Sequence, residues 1–408
     1  MRLAILLGTY LFIAFQRMPG LRLNRPAASL LGAVAMVTLG GLPMRDAYAA
    51  IDMDVLVFLL GVLLLTGFLE LSGFFEWAAS HIVRRAHSIH ALLGSVVLMS
   101  GLLAALFVND TVCLMLTPLI LAIVRPLGVR PTPFLLAVAL ASNVGSAMTP
   151  IGNPQNMLIA VASGIHFASF VAALALPSLG GLAIVYGVIA LVHRRDLAAE
   201  RTVRDDSPLP AIDRGLVIKS LACFSGALAG WLAGFPLPLV AIASAAVLIA
   251  IAGRDPSLAF AKVEWELLLF FGALFVVMRG VRDVPLVVSL TSTAGAQLHG
   301  AAPRDAAIVS GAMLALSNLV SNVPAVLLWI PVVPTLHDPR FVWLVMAMSS
   351  TFAGNLTLIG SMANLIVAER AEARGEPITF LDYLKVGVPT TLLTLVWGIT
   401  ALLLLRIG

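Results

Sequence analysis

The residues able to do chemistry sit as interruptions inside apolar runs. Ser142-Asn143-Val144-Gly145-Ser146 leads into Thr149-Pro150-Ile151-Gly152-Asn153-Pro154-Gln155-Asn156. Further along, Ser350-Thr351-Phe352-Ala353-Gly354-Asn355 leads into Thr357-Leu358-Ile359-Gly360-Ser361-Met362-Ala363-Asn364. Pro150, Gly152 and Pro154 break any helix running through the first segment, and Gly354 and Gly360 loosen the second less severely. A broken helix frees carbonyls at the end of one half and N–H groups at the start of the next. Carbonyls with Asn, Ser and Thr oxygens suit a hard cation, whereas the N–H ends favour an anion. Two more apolar stretches, 91–124 and 305–336, are interrupted by Asn109-Asp110-Thr111 and by Ser321-Asn322-Val323-Pro324. Asp110 is the most informative charge, since a carboxylate in the middle of an apolar hairpin is expensive and marks an ion or proton pathway by default. Such a group can exchange a proton for a cation. The candidate substrate- or ion-binding residues are Asn109, Asp110, Thr111, Asn143, Thr149, Gly152, Asn153, Asn156, Ser321, Asn322, Thr357, Gly360, Ser361 and Asn364. A candidate sodium site lies near Asn109, Asp110 and Asn153 and near Ser321, Asn322 and Ser361. Packing between helices accounts equally well for Ser146 and Gly354, because small residues also serve that purpose.

These interruptions recur at an offset of about 208 residues. Both longer segments read Thr-x-Ile-Gly-x-x-x-Asn, and both reach Ala four residues later, at Ala160 and Ala368. Val108-Asn109-Asp110 through Pro118 echoes Val320-Ser321-Asn322 through Pro331, with one residue of slippage. Asp110 has neutral Asn322 as its counterpart, so the two sites should differ chemically.

The elements that position these residues follow from hydropathy. Of 408 residues, 60% are hydrophobic and 11% charged, with a mean hydropathy of +1.02; about a quarter of residues are charged in an ordinary soluble protein. The chain is therefore expected in a bilayer as one all-α polytopic membrane domain. A helix needs about 20 mostly apolar residues to cross the hydrocarbon. Ten crossings are expected, near 1–15, 27–43, 54–72, 133–165 and 168–192, then 216–233, 237–253, 264–280, 341–371 and 383–405. The stretches 91–124 and 305–336 read as re-entrant hairpins, each preceded by an interfacial segment, 74–90 and 281–300; two ordinary spanning helices in place of 91–124 would leave the topology unchanged. Five crossings per repeat is odd, so the second copy is inverted, with residues 1–192 as the first repeat, 193–215 as a cytoplasmic linker and 216–408 as the second repeat. Inverted repeats with midplane broken helices are the plan of secondary transporters. Cytoplasmic loops hold the excess of Lys and Arg. With the 16–26 loop cytoplasmic, only Arg2, Arg45, Arg279, Arg282, Arg304, Arg340 and Arg406 of the 25 basic residues fall outside. Both termini are then expected outside, in the cell inner membrane.

Other functions find no support. Arg2, an apolar run and Ala47-Tyr48-Ala49 imitate a secretory signal, but two apolar runs separated by Arg17, Arg22 and Arg25 do not fit one. Cys113 and Cys223 form neither a metal cluster nor a disulfide framework. His81, His87, His90 and His193 lie in polar stretches without ligand spacing. Glu70 lies near the end of its span, where it can reach the interface. No nucleophile triad, phosphate loop or nucleotide motif is present, so neither an enzyme nor an ATP-driven pump is indicated. The net charge of +4 reports loop sidedness rather than nucleic acid.

At these motifs the sequence resembles the ion transporter superfamily with the citrate-transporter-like domain, which includes divalent-anion/sodium symporters, arsenite efflux permeases and NhaD-type sodium/proton antiporters. Asn109-Asp110-Thr111 through Thr117-Pro118 is similar to the hairpin of the arsenite permeases, and Ser321-Asn322 through Pro331 to the Ser-Asn-Thr tip of dicarboxylate carriers, with Val323 in place of Thr. Thr149 to Asn156 is similar to the Thr-Pro-x-Gly-x-Pro-x-Asn of those carriers, and the whole is closest to YbiR-like anion permeases. The resemblance implies hairpin tips and broken helices that hold sodium and substrate in a domain moving as an elevator, and a homodimer. The expected activity is secondary transport of a small anion or oxyanion, arsenite being one subcase, coupled to proton or sodium and without a cofactor. The alternative is a sodium/proton antiporter with no organic substrate. A membrane scaffold without transport would leave the costly midplane polar groups without use. The expected partners are the lipid bilayer and a small anionic substrate.

Overall fold

The computed structural model describes residues 1–14, 17–18, 21–84, 86–198 and 211–407. Arg85, Arg201, Arg204 and the interior of the linker lie outside them. The described residues are helical apart from a two-residue antiparallel pair, β1 (Arg17–Met18) with β2 (Leu21–Arg22), and connecting turns. The chain opens with α1 (Arg2–Ala14), α2 (Arg25–Thr38), the short α3 (Met44–Ala49), α4 (Met53–Leu71) and α5 (Phe74–Val83). A hairpin of α6 (Ile89–Leu106) and α7 (Asn109–Val124) follows, then the interrupted pair α8 (Thr132–Ser146) and α9 (Pro154–Ser163), then α10 (Phe167–Val192). After the one-turn α11 (Arg194–Leu197) come α12 (Arg214–Leu232), α13 (Leu237–Ile251), the short α14 (Pro256–Phe260), α15 (Trp265–Val281) and α16 (Pro285–Ala296). The second hairpin is α17 (Ala302–Val320) and α18 (Asn322–Trp329), the second interrupted pair α19 (Pro339–Ala353) and α20 (Met362–Glu372), and α21 (Phe380–Ile407) closes the chain.

Local chemistry sets these boundaries. Asn24, Asp52, Ser88, Asn153, Asp213 and Asp338 each accept a backbone N–H two or three residues into the following helix at 2.9–3.1 Å, using side-chain oxygens where the chain has run out of carbonyl partners. The left-handed Gly164 ends α9. Among the described residues six stretches are long and apolar enough to cross a membrane, at α4, α6, α7 with its following turn, α10, α12 and α21. Of these, α6 and α7 are the arms of the stretch 91–124, read from the sequence as re-entrant with two spanning helices as the alternative, and each has the length of a span. The other four are expected crossings, and the remaining six coincide with the shorter helices α1, α2, α13 and α15 and with the two interrupted pairs.

Burial sorts the helices into layers. Nearly every residue of α8 and α19 is buried, on all faces, which is where interrupted backbone must lie if lipid cannot satisfy it. In contrast α1, α2, α13 and α21 expose Leu7, Leu30, Leu239 and Leu393, among many large apolar side chains. Apolar surface on this scale fits an outer wall against lipid. Inside, α6 and α8 touch backbone to backbone: a Cβ on Gly145 would lie 2.1 Å from the Gly101 carbonyl oxygen. On α4, a Cβ on Gly61 would lie 2.6 Å from the Ala241 carbonyl carbon of α13.

The ion pairs lie at the ends of helices. Glu70–Lys262 at 2.7 Å, Asp213–Arg254 at 2.5 Å and Arg125–Glu376 at 3.3 Å join groups expected on the cytoplasmic side. Asp338–Arg406 at 3.0 Å and Asp46–Arg279 at 3.5 Å join groups expected outside. No pair among these mixes the two sets. Glu70 is accounted for by its pair with Lys262 at a helix end.

Candidate functional site

The two interruptions are braced by matching bonds. Asn156, in the first turn of α9, turns its Nδ2 back over the break and donates toward the carbonyls of Ser146, Ala147 and Thr149 at 3.1–3.3 Å. Asn364, in the first turn of α20, donates to the carbonyls of Gly354 at 2.8 Å and Thr357 at 3.3 Å. Donors and acceptors at 156, 146 and 149 thus recur 208 residues later at 364, 354 and 357. Each carboxamide satisfies carbonyls that the end of a helix leaves without N–H partners.

The two segments are also tied to each other. Asn143 on α8 accepts from Ser361 at 3.0 Å and donates to Asn355 at 2.8 Å and Asn364 at 3.0 Å. Its Oδ1 also accepts from Asn109 Nδ2 at 2.9 Å. Across the centre, Asn153 donates to Thr351 at 3.3 Å, with Ser146 as its second acceptor at 2.9 Å. Positions 143 and 351, and 153 and 361, again differ by 208, so Ser361 with Asn143 is the counterpart of Asn153 with Thr351.

The hairpin tips close onto this centre. The Asn109 backbone N–H donates to the Gly152 carbonyl at 2.9 Å, locking the first tip to the first break. A Cβ on Gly152 would lie 2.2 Å from the Ser146 carbonyl oxygen, so the close approach requires glycine there. At the second tip Ser321 holds φ 76° and ψ 159°, the one non-glycine with positive φ among the described residues. That region costs about 1–3 kcal/mol for a residue with a Cβ and persists only where surrounding structure enforces it.

Between the tips lies a cavity of about 90 Å³, lined by Asn109, Asp110, Ser321, Asn322 and Ser361 of the expected residues. The carboxamide oxygens of Asn109 and Asn322 are buried there without a hydrogen-bond partner. The other nine expected residues do not line it. Thr149 donates to the Ala105 carbonyl, Thr357 to Asn318 and Thr111 to Glu264. Asn143, Asn153, Asn156 and Asn364 brace the breaks, and Gly152 and Gly360 let the backbone pack closely. Asn153 uses its Oδ1 to cap α9 and its Nδ2 to hold Ser146 and Thr351, so it is not brought to Asp110 as the expected sodium grouping had it. Hydropathy marks such a carboxamide as functional or bracing alike; only its bonds separate the two.

Several lining residues come from outside the motifs. Arg25 at the start of α2 and Tyr10 of α1 line the cavity, with Gln155, Ser317 and Asn318. A second cavity of about 430 Å³ adjoins it, sharing Arg25, Asp110 and Met362 and adding Glu264, Glu266 and Glu369. Thr111 Oγ1 donates to Glu264 Oε1 at 2.7 Å. In the sequence, Arg25 and Glu264 read as loop charges at the ends of spans, and no spacing joins them to Asp110. A third cavity of about 840 Å³ at the end bearing Asp46 and Arg279 shares no lining residue with the central one.

A polytopic helical protein with interrupted helices, hairpin tips and a charged cavity enclosed between them belongs to the class of membrane transporters. Residues 10–339 match the citrate transporter family, CitMHS, and the chain belongs to that family. The silicon efflux transporter LSI3 of Oryza sativa subsp. japonica is 30% identical, over 97% of this chain and 96% of its own. An uncharacterized transporter of Mycobacterium tuberculosis (strain ATCC 25618 / H37Rv) is 31% identical over 92% of each. The crystal structure of the Alcanivorax borkumensis YdaH transporter shares the fold, with a TM-score of 0.57 and 16% identity over 100% of this chain and 97% of that one. The protein is a multi-pass membrane transporter of the anion-transporting ion transporter superfamily and not an enzyme, as its motifs led us to expect.

Proposed function

We propose that the protein is a secondary active transporter of a small anion or oxyanion across the cell inner membrane, coupled to proton or sodium. One observation carries the reading. Two buried carboxamide oxygens at repeat-related hairpin tips, Asn109 and Asn322, lack partners in a small cavity that also holds Asp110. Buried acceptors are nearly always satisfied, and here a sodium ion or the hydroxyls of an oxyacid would satisfy them. The modest cavity favours a compact ion, and the relative named as a silicon efflux transporter makes a silicon oxyacid a subcase beside arsenite.

The recurring bonds support two repeats, 1–192 and 216–408, joined by the 193–215 linker and inverted relative to each other, with both termini outside. The central cavity adjoins the one at the end expected to be cytoplasmic and not the one opposite. In an elevator, α6 to α9 and α17 to α20 would move against the outer helices, and a homodimer would anchor the latter. No cofactor is required beyond the coupling ion. The second reading, sodium/proton exchange without another substrate, is favoured by the hydroxyl and carboxamide oxygens of Asn109, Ser321, Asn322 and Ser361 that share the cavity with Asp110.

Purified protein in proteoliposomes, tested with silicate, arsenite, sulfate and dicarboxylates under a pH gradient and separately a sodium gradient, decides between them. We expect uptake of at least one oxyanion under one gradient, and loss of net coupled uptake in Asp110→Asn with exchange retained, because that variant keeps size and much of the hydrogen bonding but not titration. Sodium/proton exchange with no oxyanion moved selects the second reading. Undiminished coupled uptake by Asp110→Asn removes Asp110 from the mechanism.

A further inference from the structure

We propose that Arg25 is the anion-binding group of the central cavity, a guanidinium supplied by α2 to a small oxyanion lying between the hairpin tips. The inference rests on the oxyanion reading above. Among the described residues Arg25 is the sole cation lining either the central cavity or its neighbour. Its Nε is buried with no hydrogen-bond partner, and its Nη1 donates to the Met362 thioether at 2.9 Å, a weak acceptor. Asp110 and Glu369 attract it through space, yet no carboxylate among the described residues comes within 4.0 Å. A guanidinium offers five donors in a fixed planar fork, a geometry that matches the paired oxygens of an oxyanion. The Arg25 fork is therefore held at the cavity with donors unused.

The surroundings point the same way. Helices α7, α9, α18 and α20 all begin at residues that line this cavity, Asn109, Pro154, Asn322 and Met362. Helix N-termini favour negative charge, and four converging on one small space beside an unpaired guanidinium describe an anion site. Ser361, also on the lining, brings a hydroxyl next to Met362. Asn24 caps α2 and Pro26 stiffens its first turn, so the backbone carrying Arg25 is well fixed. Since α2 packs chiefly on α1 and α15 and is itself no part of the hairpins or interrupted pairs, the anion would be held jointly by the outer wall and the centre. Sliding one against the other would separate Arg25 from the tips and weaken the site.

The test uses full-length protein in nanodiscs, with sulfate, inorganic phosphate, silicate and arsenite as probes in thermal-shift titrations. For a probe that binds the wild type, Arg25→Gln should weaken the apparent Kd about tenfold or more and Arg25→Lys by less, since a charge without the fork is retained. On wild-type protein the same probe should protect Arg25 from phenylglyoxal, read by peptide mass spectrometry. This readout stands even if Arg25→Gln does not fold. A probe that binds equally well to Arg25→Gln, or leaves Arg25 unprotected, overturns the assignment and leaves the transporter reading in place. Failure of every probe to bind the wild type overturns both.

Discussion

Asn143 makes four side-chain hydrogen bonds from a fully buried position, and Asn143→Ala removes all of them. Its Oδ1 accepts from Asn109 and Ser361, and its Nδ2 donates to Asn355 and Asn364. In membrane-embedded cores a side-chain hydrogen bond averages about 0.6 kcal/mol, so four such bonds give a floor of about 2.5 kcal/mol. A buried polar group left without a partner costs about 1–3 kcal/mol. Asn355 keeps its bond to the Leu140 carbonyl and Asn364 its bonds to Gly354 and Thr357, whereas Asn109 and Ser361 lose the side-chain partners they have here. Stranding those two raises the expected loss to about 4–8 kcal/mol. Reversible unfolding in mixed detergent micelles would measure it. A double-mutant cycle with Asn364→Ala should show coupling of about 1 kcal/mol, because the two share a bond across the repeats. Asn143→Asp should fare no better, since an oxygen would then face the oxygens of Asn355 and Asn364. A loss below about 1 kcal/mol, additive with Asn364→Ala, would refute the view that this carboxamide holds the two segments together.

Gly145→Ala should destabilise by about 3 kcal/mol or more, as its Cβ would strike the Gly101 backbone, while Gly187→Ala, with open space around it, should be neutral; equal melting temperatures for the two would contradict the close α6–α8 contact. For topology, in a Cys223→Ser background, Ala50→Cys should react with impermeant thiol reagents in intact cells and Arg195→Cys only after permeabilisation. Equal labelling at both positions rules out the inverted arrangement with termini outside.

The sequence by itself determined that this is a helical membrane protein, where its apolar helices fall and which runs are interrupted. The physical reason is that hydrocarbon satisfies no backbone group, so each crossing must be an apolar helix and each Pro, Gly or Asn within it shows as a break in one dimension. The 208-residue recurrence and the isolated Asp110 were legible on the same ground. What faces what was decided only by tertiary structure. Asn109, Asn143, Asn153, Asn156, Asn322 and Asn364 look alike along the chain, but bonds across the breaks and between the two repeats turn four of them into braces, while the carboxamide oxygens of Asn109 and Asn322 stay without a partner at a cavity. Arg25 and Glu264 read as charges at span ends because hydropathy locates a residue along its own helix and not relative to its neighbours. The packing of α2 on α15, and of α15 on α18 of the second hairpin, brings both to the space beside Asp110.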